Sequence, residues 1–202
     1  MNDELRDDTA EYLGDREKSG SHLANTDTAQ PPQANDGDLW LAIRSEMQLD
    51  HRVAEERVQQ EIRWLQARPM YRANLGPRMQ CYLPYLFAQA QKRGLPIELA
   101  MLPVVESALD PYAFSPYGAS GLWQFMRPTA RQYGLHMTDL NGERRDVIAA
   151  TQAALNFLQN LRTRFDDCQL ALAACNAGGG AVSKALCKSQ HRDFSRLRLP
   201  HE

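Results

Sequence analysis

From Val147 to Phe165 an apolar residue recurs every three or four positions: Val147, Ala150, Ala154, Leu158, Leu161 and Phe165. A run this long with a period near 3.6 can hide its apolar stripe only as a helix packed against other elements, so it is expected to be the central core helix. Nowhere does the sequence show convincing two-residue alternation, and no internal repeat is visible. The class implied is mainly α.

Shorter helices are expected around that core. Asp38 is placed to cap a first one with Leu39, Ile43 and Met47 on its apolar face. A second, from about His51 to Ala67, carries Val53, Val58, Ile62 and Leu65, and Pro69 should stop it. A third is expected from Pro77 to Arg93, with Leu83, Leu86 and Phe87 inward and Gly94 closing it. Pro96 opens a short helix that delivers Glu106 near its end. Asp110 to Gly121 reads as loop and Leu122–Met126 as a brief extended piece, after which Pro128 starts a helix ending at Gly134. Leu170–Asn176 and Ala181–Lys188 complete the set, separated by Gly178-Gly179-Gly180. No Gly-Lys-Ser/Thr follows those glycines, which argues against a nucleotide site.

At 202 residues the chain has room for one domain and a tail. Residues 1–37 are rich in Asp, Glu, Ser, Thr, Asn and Gln, with little to bury, and are expected to form a disordered or loosely attached acidic tail. The formal net charge of −2 conceals an asymmetry: residues 1–38 hold ten acidic and three basic residues, leaving 15 acidic and 20 basic in 39–202. A mildly basic body suits a polyanionic partner, and an ordinary solvated surface explains it equally well. Cys81, Cys168, Cys175 and Cys187 form no Cys-x-x-Cys pair, and His22, His51, His136, His191 and His201 are scattered. Neither a metal site nor a cofactor is therefore expected. No apolar run is long enough to span a bilayer. The start, Met-Asn-Asp-Glu-Leu-Arg-Asp-Asp, lacks the basic and apolar regions of a secretion signal. Read literally the chain is not exported, unless it is a fragment or a form with its signal removed or replaced.

Chemistry enters with Leu99-Ala-Met-Leu-Pro-Val-Val-Glu106-Ser107-Ala-Leu109, which sets one carboxylate inside an apolar run. Burial there would disfavour the ionised form and raise the pKa of Glu106, as a general acid requires. The competing reading puts Glu106 at a helix end facing solvent.

Further along stand Ser115-Pro-Tyr-Gly118-Ala-Ser-Gly121-Leu122-Trp123-Gln124-Phe125, the stretch Arg144-Arg145-Asp146, and Ala174-Cys175-Asn176-Ala-Gly178-Gly-Gly180. The ordered set, a Glu-Ser pair, a Gly-Leu-x-Gln segment and an Asn-x-Gly-x-Gly segment, resembles the catalytic domain of the lytic transglycosylases of the soluble-lysozyme-like family. The likeness runs from about Leu39 to Pro200. It implies a lysozyme-like α+β fold, mostly helical, with a small extended segment beside a cleft. It also implies cleavage of the β-1,4 bond between N-acetylmuramic acid and N-acetylglucosamine in peptidoglycan, leaving a 1,6-anhydro product. Glu106 is then the sole catalytic acid and base, and the sugar's own acetamido group supplies the nucleophile that a second carboxylate usually provides. Ser107, Ser115, Trp123, Gln124, Phe125 and Asn176 become the implied substrate contacts, with Trp123 and Phe125 offering apolar surface to the sugar or to the core. Read alone, Gln124 could as well satisfy turn backbone, and Asn176 could end its helix. The expected partner is the glycan strand of peptidoglycan, with no nucleic acid and no membrane span. A monomer in the periplasm or cell envelope is expected.

Two departures follow from the same comparison. Cys175 stands where the family carries Tyr, and the chain stops at Glu202, before a segment that brings relatives another cleft-lining Tyr. A domain over 38–202 that is cut short at its C-terminal end is thus expected. A catalytically weak or inactive peptidoglycan-binding relative stays open as an alternative, as does a lysozyme-type muramidase that uses water.

Overall fold

The computed structural model describes residues 36–137 and 142–199, so the tail expected over 1–37 lies, but for its last two residues, outside the described residues. Eight α-helices are present among them: α1 (Asp36–Glu46), α2 (Glu56–Gln66), α3 (Pro69–Gln91), α4 (Leu102–Ser107), α5 (Arg127–Gln132), α6 (Val147–Phe165), α7 (Cys168–Ala177) and α8 (Gly179–Lys188). Short 3-10 turns precede α4 and α6 and follow α8. Extended pairing among the described residues is limited to isolated bridges, Phe114 to Ser120 and Ser120 to Phe125.

Helix α6 occupies the span that the apolar period marks. Asp146 caps it, accepting from the Ile148 and Ala149 amides at 2.8 and 2.9 Å, which satisfies donors the helix itself cannot. Ala150, Ala153, Ala154, Leu155, Leu158, Leu161 and Phe165 are buried along it, facing α3, α7 and the 3-10 turn before α4. Two apolar clusters result, one under α3 and α4 and one under α7 and α8. Half-buried Phe157 and Cys175 pack against both.

Three expectations need correcting. The second helix does end ahead of Pro69, at Gln66, but that proline also opens α3, which starts well before the expected Pro77 and runs through Gly76, Pro77 and Pro84 to Gln91. Each internal proline removes one donor, but Leu75, Leu83, Leu86, Phe87 and Ala90 form a single buried stripe whose loss would cost more. The second helix starts at Glu56 rather than His51 and buries none of its residues; Val53 and Leu65 are exposed while Val58 and Ile62 are half-buried. Helix α1 begins at Asp36, so Asp38 lies within its first turn rather than at its cap.

Candidate active site

Helix α4 is short, and Glu106 is its penultimate residue. Ser107 ends it, and the chain then turns through Ala108 and Leu109, both left-handed at φ 50° and 58°. Side chains rarely adopt that conformation, so the turn needs outside support. It comes from the Leu109 amide donating to the Pro103 carbonyl (3.0 Å) and from Arg78 donating to the Ala108 carbonyl (3.1 Å), with Leu109 fully buried.

Ser107 ties α4 to the next segment. Its hydroxyl donates to the Leu122 carbonyl at 2.8 Å and accepts from the Asp110 amide at 3.2 Å. Residues Gly121 to Gln124 thereby sit against the end of α4. Within this turn the Gln124 side-chain amide donates to the carbonyls of Gly121 (2.8 Å) and Ala113 (3.3 Å), and its own backbone is left-handed at φ 47°. Gln124 thus satisfies turn backbone here. Ser115 shapes a second tight turn, with its hydroxyl accepting from the Tyr117 amide at 3.2 Å.

Of the two surfaces open to Trp123 and Phe125, both meet the core: they are 8% and 5% exposed, and the Trp123 indole donates to Thr151 at 3.0 Å. The Trp123–Thr151 bond turns the indole toward α6, and Phe125 belongs to the same buried cluster. The expected burial of Glu106 is also corrected. The apolar run before it is spent on Leu99, Ala100 and Pro103, whereas α4 turns Glu106 outward beside Val105, itself 83% exposed.

What brings Glu106 into a site is α7. Asp167 caps this helix at its start, and Gly178 at φ 84° breaks it from α8, so Cys175 and exposed Asn176 stand at its C-terminal end. The half-buried Cys175 thiol is pushed up to about 12, first by burial and then by the negative charge of Glu106. The carboxylate and the end of α7 therefore share one electrostatic environment, though 69 residues of chain separate Glu106 from Cys175. A thiol of this kind stays neutral and unreactive. Alkylation at pH 8 is expected to modify exposed Cys81 and Cys187 at least about a hundredfold faster than Cys175, measured by mass spectrometry of the peptides. Between the ordinary value of 9.0 and about 12 the unfolded thiol would ionise while the folded one keeps its proton. Its contribution is therefore complete below pH 9 and is lost as pH rises through that window.

Arg144 stands in the sequence only as part of the Arg144-Arg145-Asp146 stretch, with no role assigned to it. It is 6% exposed, and its guanidinium donates to the Gly118 carbonyl at 2.7 Å and the Phe125 carbonyl at 2.9 Å, bracketing the loop that carries Gln124. Burial lowers its pKa, with Arg127 and Arg145 adding to the effect. Its Nε is buried with no acceptor. Nothing near position 144 in the sequence signals these bonds, since both acceptors lie 19 or more residues earlier. Among the described residues no group of three or more His, Cys, Asp or Glu side chains could hold a metal ion.

The described residues thus place Glu106 near the end of a short helix, beside the Ser107-pinned turn at Gln124. Residues 84–197 match the transglycosylase SLT domain family, and the chain belongs to that family. It is 40% identical over 174 residues to membrane-bound lytic murein transglycosylase D of Escherichia coli (strain K12), covering 84% of this chain and 38% of that protein. Membrane-bound lytic murein transglycosylase F of Desulfosudis oleivorans is 34% identical over 129 residues, 59% of this chain and 27% of its own length. The chain thus spans about two fifths or less of these relatives. Among solved structures, an inactive mutant of the lytic transglycosylase Slt from Pseudomonas aeruginosa aligns at 30% identity with a TM-score of 0.44, over 55% of this chain and 19% of that one.

Proposed function

We propose that residues 38–202 form a peptidoglycan lytic transglycosylase domain with Glu106 as its single acid and base. What supports the reading is that Ser107 pins the turn at Gln124 to the C-terminal end of α4, and that the charge of Glu106 acts on Cys175 near the end of α7. In this reading Glu106 protonates the glycosidic oxygen as the bond to the muramic C1 breaks. The acetamido oxygen of that sugar closes on C1, and the resulting ring is opened by O6 as Glu106 takes the O6 proton back. No water is consumed, which makes the reaction a lyase reaction. Because Glu106 is exposed in the free protein, the glycan itself supplies the desolvation: a sugar lying over α4 displaces water and disfavours the charged carboxylate.

Ser107 acts by holding the Gln124 turn against α4. Asn176 and the remaining polarity of Gln124 face the sugar's acetamido and hydroxyl groups, and Ser115 shapes the rim. The relatives' names associate them with murein and with membranes, and the cell envelope is the location proposed here; no described helix is long and apolar enough to cross a membrane. A second reading, glycan binding without turnover, is favoured by Cys175 in place of the Tyr that the resemblance leads one to expect.

Mass spectrometry of muropeptides released from purified sacculi separates the outcomes. Anhydro-muropeptides are expected. Reducing ends would mean a hydrolase, and retention on sacculi with no soluble product would mean a binding protein.

A further inference from the structure

The end of α4 also borders a feature that the proposed reaction does not use. A hollow of about 360 Å³ is lined by Tyr71, Asn74, Leu75, Arg78 and Ala108. The four α3 residues recur at three- and four-residue steps and so form one helix face. Ala108 closes the hollow from the turn, two residues beyond Glu106.

Arg78 is the sole charged group in this lining. One guanidinium nitrogen donates to the Ala108 carbonyl at 3.1 Å and the other reaches Asp110 at 3.4 Å. With the two side chains 43% and 35% exposed, that ion pair is long and screened by solvent. A guanidinium carries five N–H donors in a planar fork suited to a carboxylate, so donors remain for a further acceptor. Exposed Asn74 and half-buried Tyr71 add neutral hydrogen-bonding groups, and buried Leu75 forms an apolar floor.

We propose that this hollow takes a carboxylate carried by the side substituent of the glycan, while the sugar backbone lies over Glu106. The proposal rests on the transglycosylase reading for the identity of the glycan. Two sources share the chemistry: the lactyl carboxylate of a muramic residue stripped of peptide, and the carboxylates of the short acidic peptide attached to it.

The test uses the Glu106→Gln protein as host, so that ligands are bound and not consumed. Dissociation constants are measured by calorimetry for three soluble fragments: peptide-bearing glycan, amidase-stripped glycan and neutral chito-oligosaccharide. Adding Arg78→Gln or Asn74→Asp is expected to lower the ratio of anionic to neutral affinity about tenfold, and Arg78→Lys should keep it within about threefold. The anionic fragment that responds identifies the source. Arg78 also braces the turn, so Asn74→Asp, which adds a negative charge to the lining while keeping the Arg78 side chain, is the second arm. An unchanged ratio in both Arg78→Gln and Asn74→Asp, or no measurable binding of either anionic fragment, overturns the proposal. Product analysis with the wild-type chain keeps the two readings apart. Selectivity without anhydro-muropeptides leaves the hollow and removes the reaction, whereas anhydro-muropeptides without selectivity do the reverse.

Discussion

Exchange of Glu106 for Gln is expected to cut the release of anhydro-muropeptides by about a thousandfold or more while leaving the melting temperature unchanged. Positioned acid–base groups typically contribute 10² to 10⁴ in rate, and in the proposed reaction one side chain serves both the bond-breaking and the ring-closing proton transfers. Gln keeps the shape and much of the hydrogen bonding but can neither give nor take that proton. The position is exposed, and surface changes of this kind usually stay within about 0.5 kcal/mol, so a stability loss is not expected to obscure the result. Muropeptide release, followed by mass spectrometry and paired with a thermal melt, provides both readouts. Turnover surviving the substitution would remove Glu106 from its role.

Gly121→Ala is expected to have the largest effect on stability. A Cβ built at Gly121 would lie 1.8 Å from the Arg144 carbonyl oxygen, and the backbone there is left-handed at φ 83°. The obstacle is main chain rather than the end of a flexible side chain, so it cannot rotate aside. The left-handed penalty of roughly 1–2 kcal/mol adds to an overpacking cost of roughly 1–3 kcal/mol, for a total of about 4 kcal/mol. For a chain of this size that corresponds to a fall in Tm of about 10 °C. Any molecules that fold should have shifted the Leu122 carbonyl away from Ser107, and activity should fall with it. A Tm within about 2 °C of the wild type would show that the loop can move off Arg144 without cost.

The two substitutions probe different parts of one assembly. Glu106 stands near the end of α4, and the turn beside it is held by many weak bonds. Ser107, Arg144 and Arg78 each donate to a main-chain carbonyl of these turns. The site's geometry is therefore a property of backbone turns, and the polar side chains around it act chiefly as their braces.

What could be read in advance follows from how far each signal reaches along the chain. The span of α6 was legible because its period repeats within the helix, and the glycines at 178–180 marked the break between α7 and α8. The Glu-Ser, Gly-Leu-x-Gln and Asn-x-Gly segments were legible as short strings in order. The start of α3 was not. A proline at an expected boundary is overridden when an apolar stripe on both sides of it is buried by another helix, and that burial is invisible from the local string.

The sequence left open whether Glu106 faces solvent and whether Trp123 and Phe125 face the core, and it carried no trace of the Arg144 clamp. Each depends on which surface lies opposite, and those surfaces come from residues tens of positions away: Thr151 for Trp123, Gly118 and Phe125 for Arg144, Cys175 for Glu106. Periodicity, caps and motif order are short-range and survive in a one-dimensional string. Burial, carbonyl partners and electrostatic neighbours arise only when distant segments pack, because the free energy that selects them belongs to the contact and not to either residue alone.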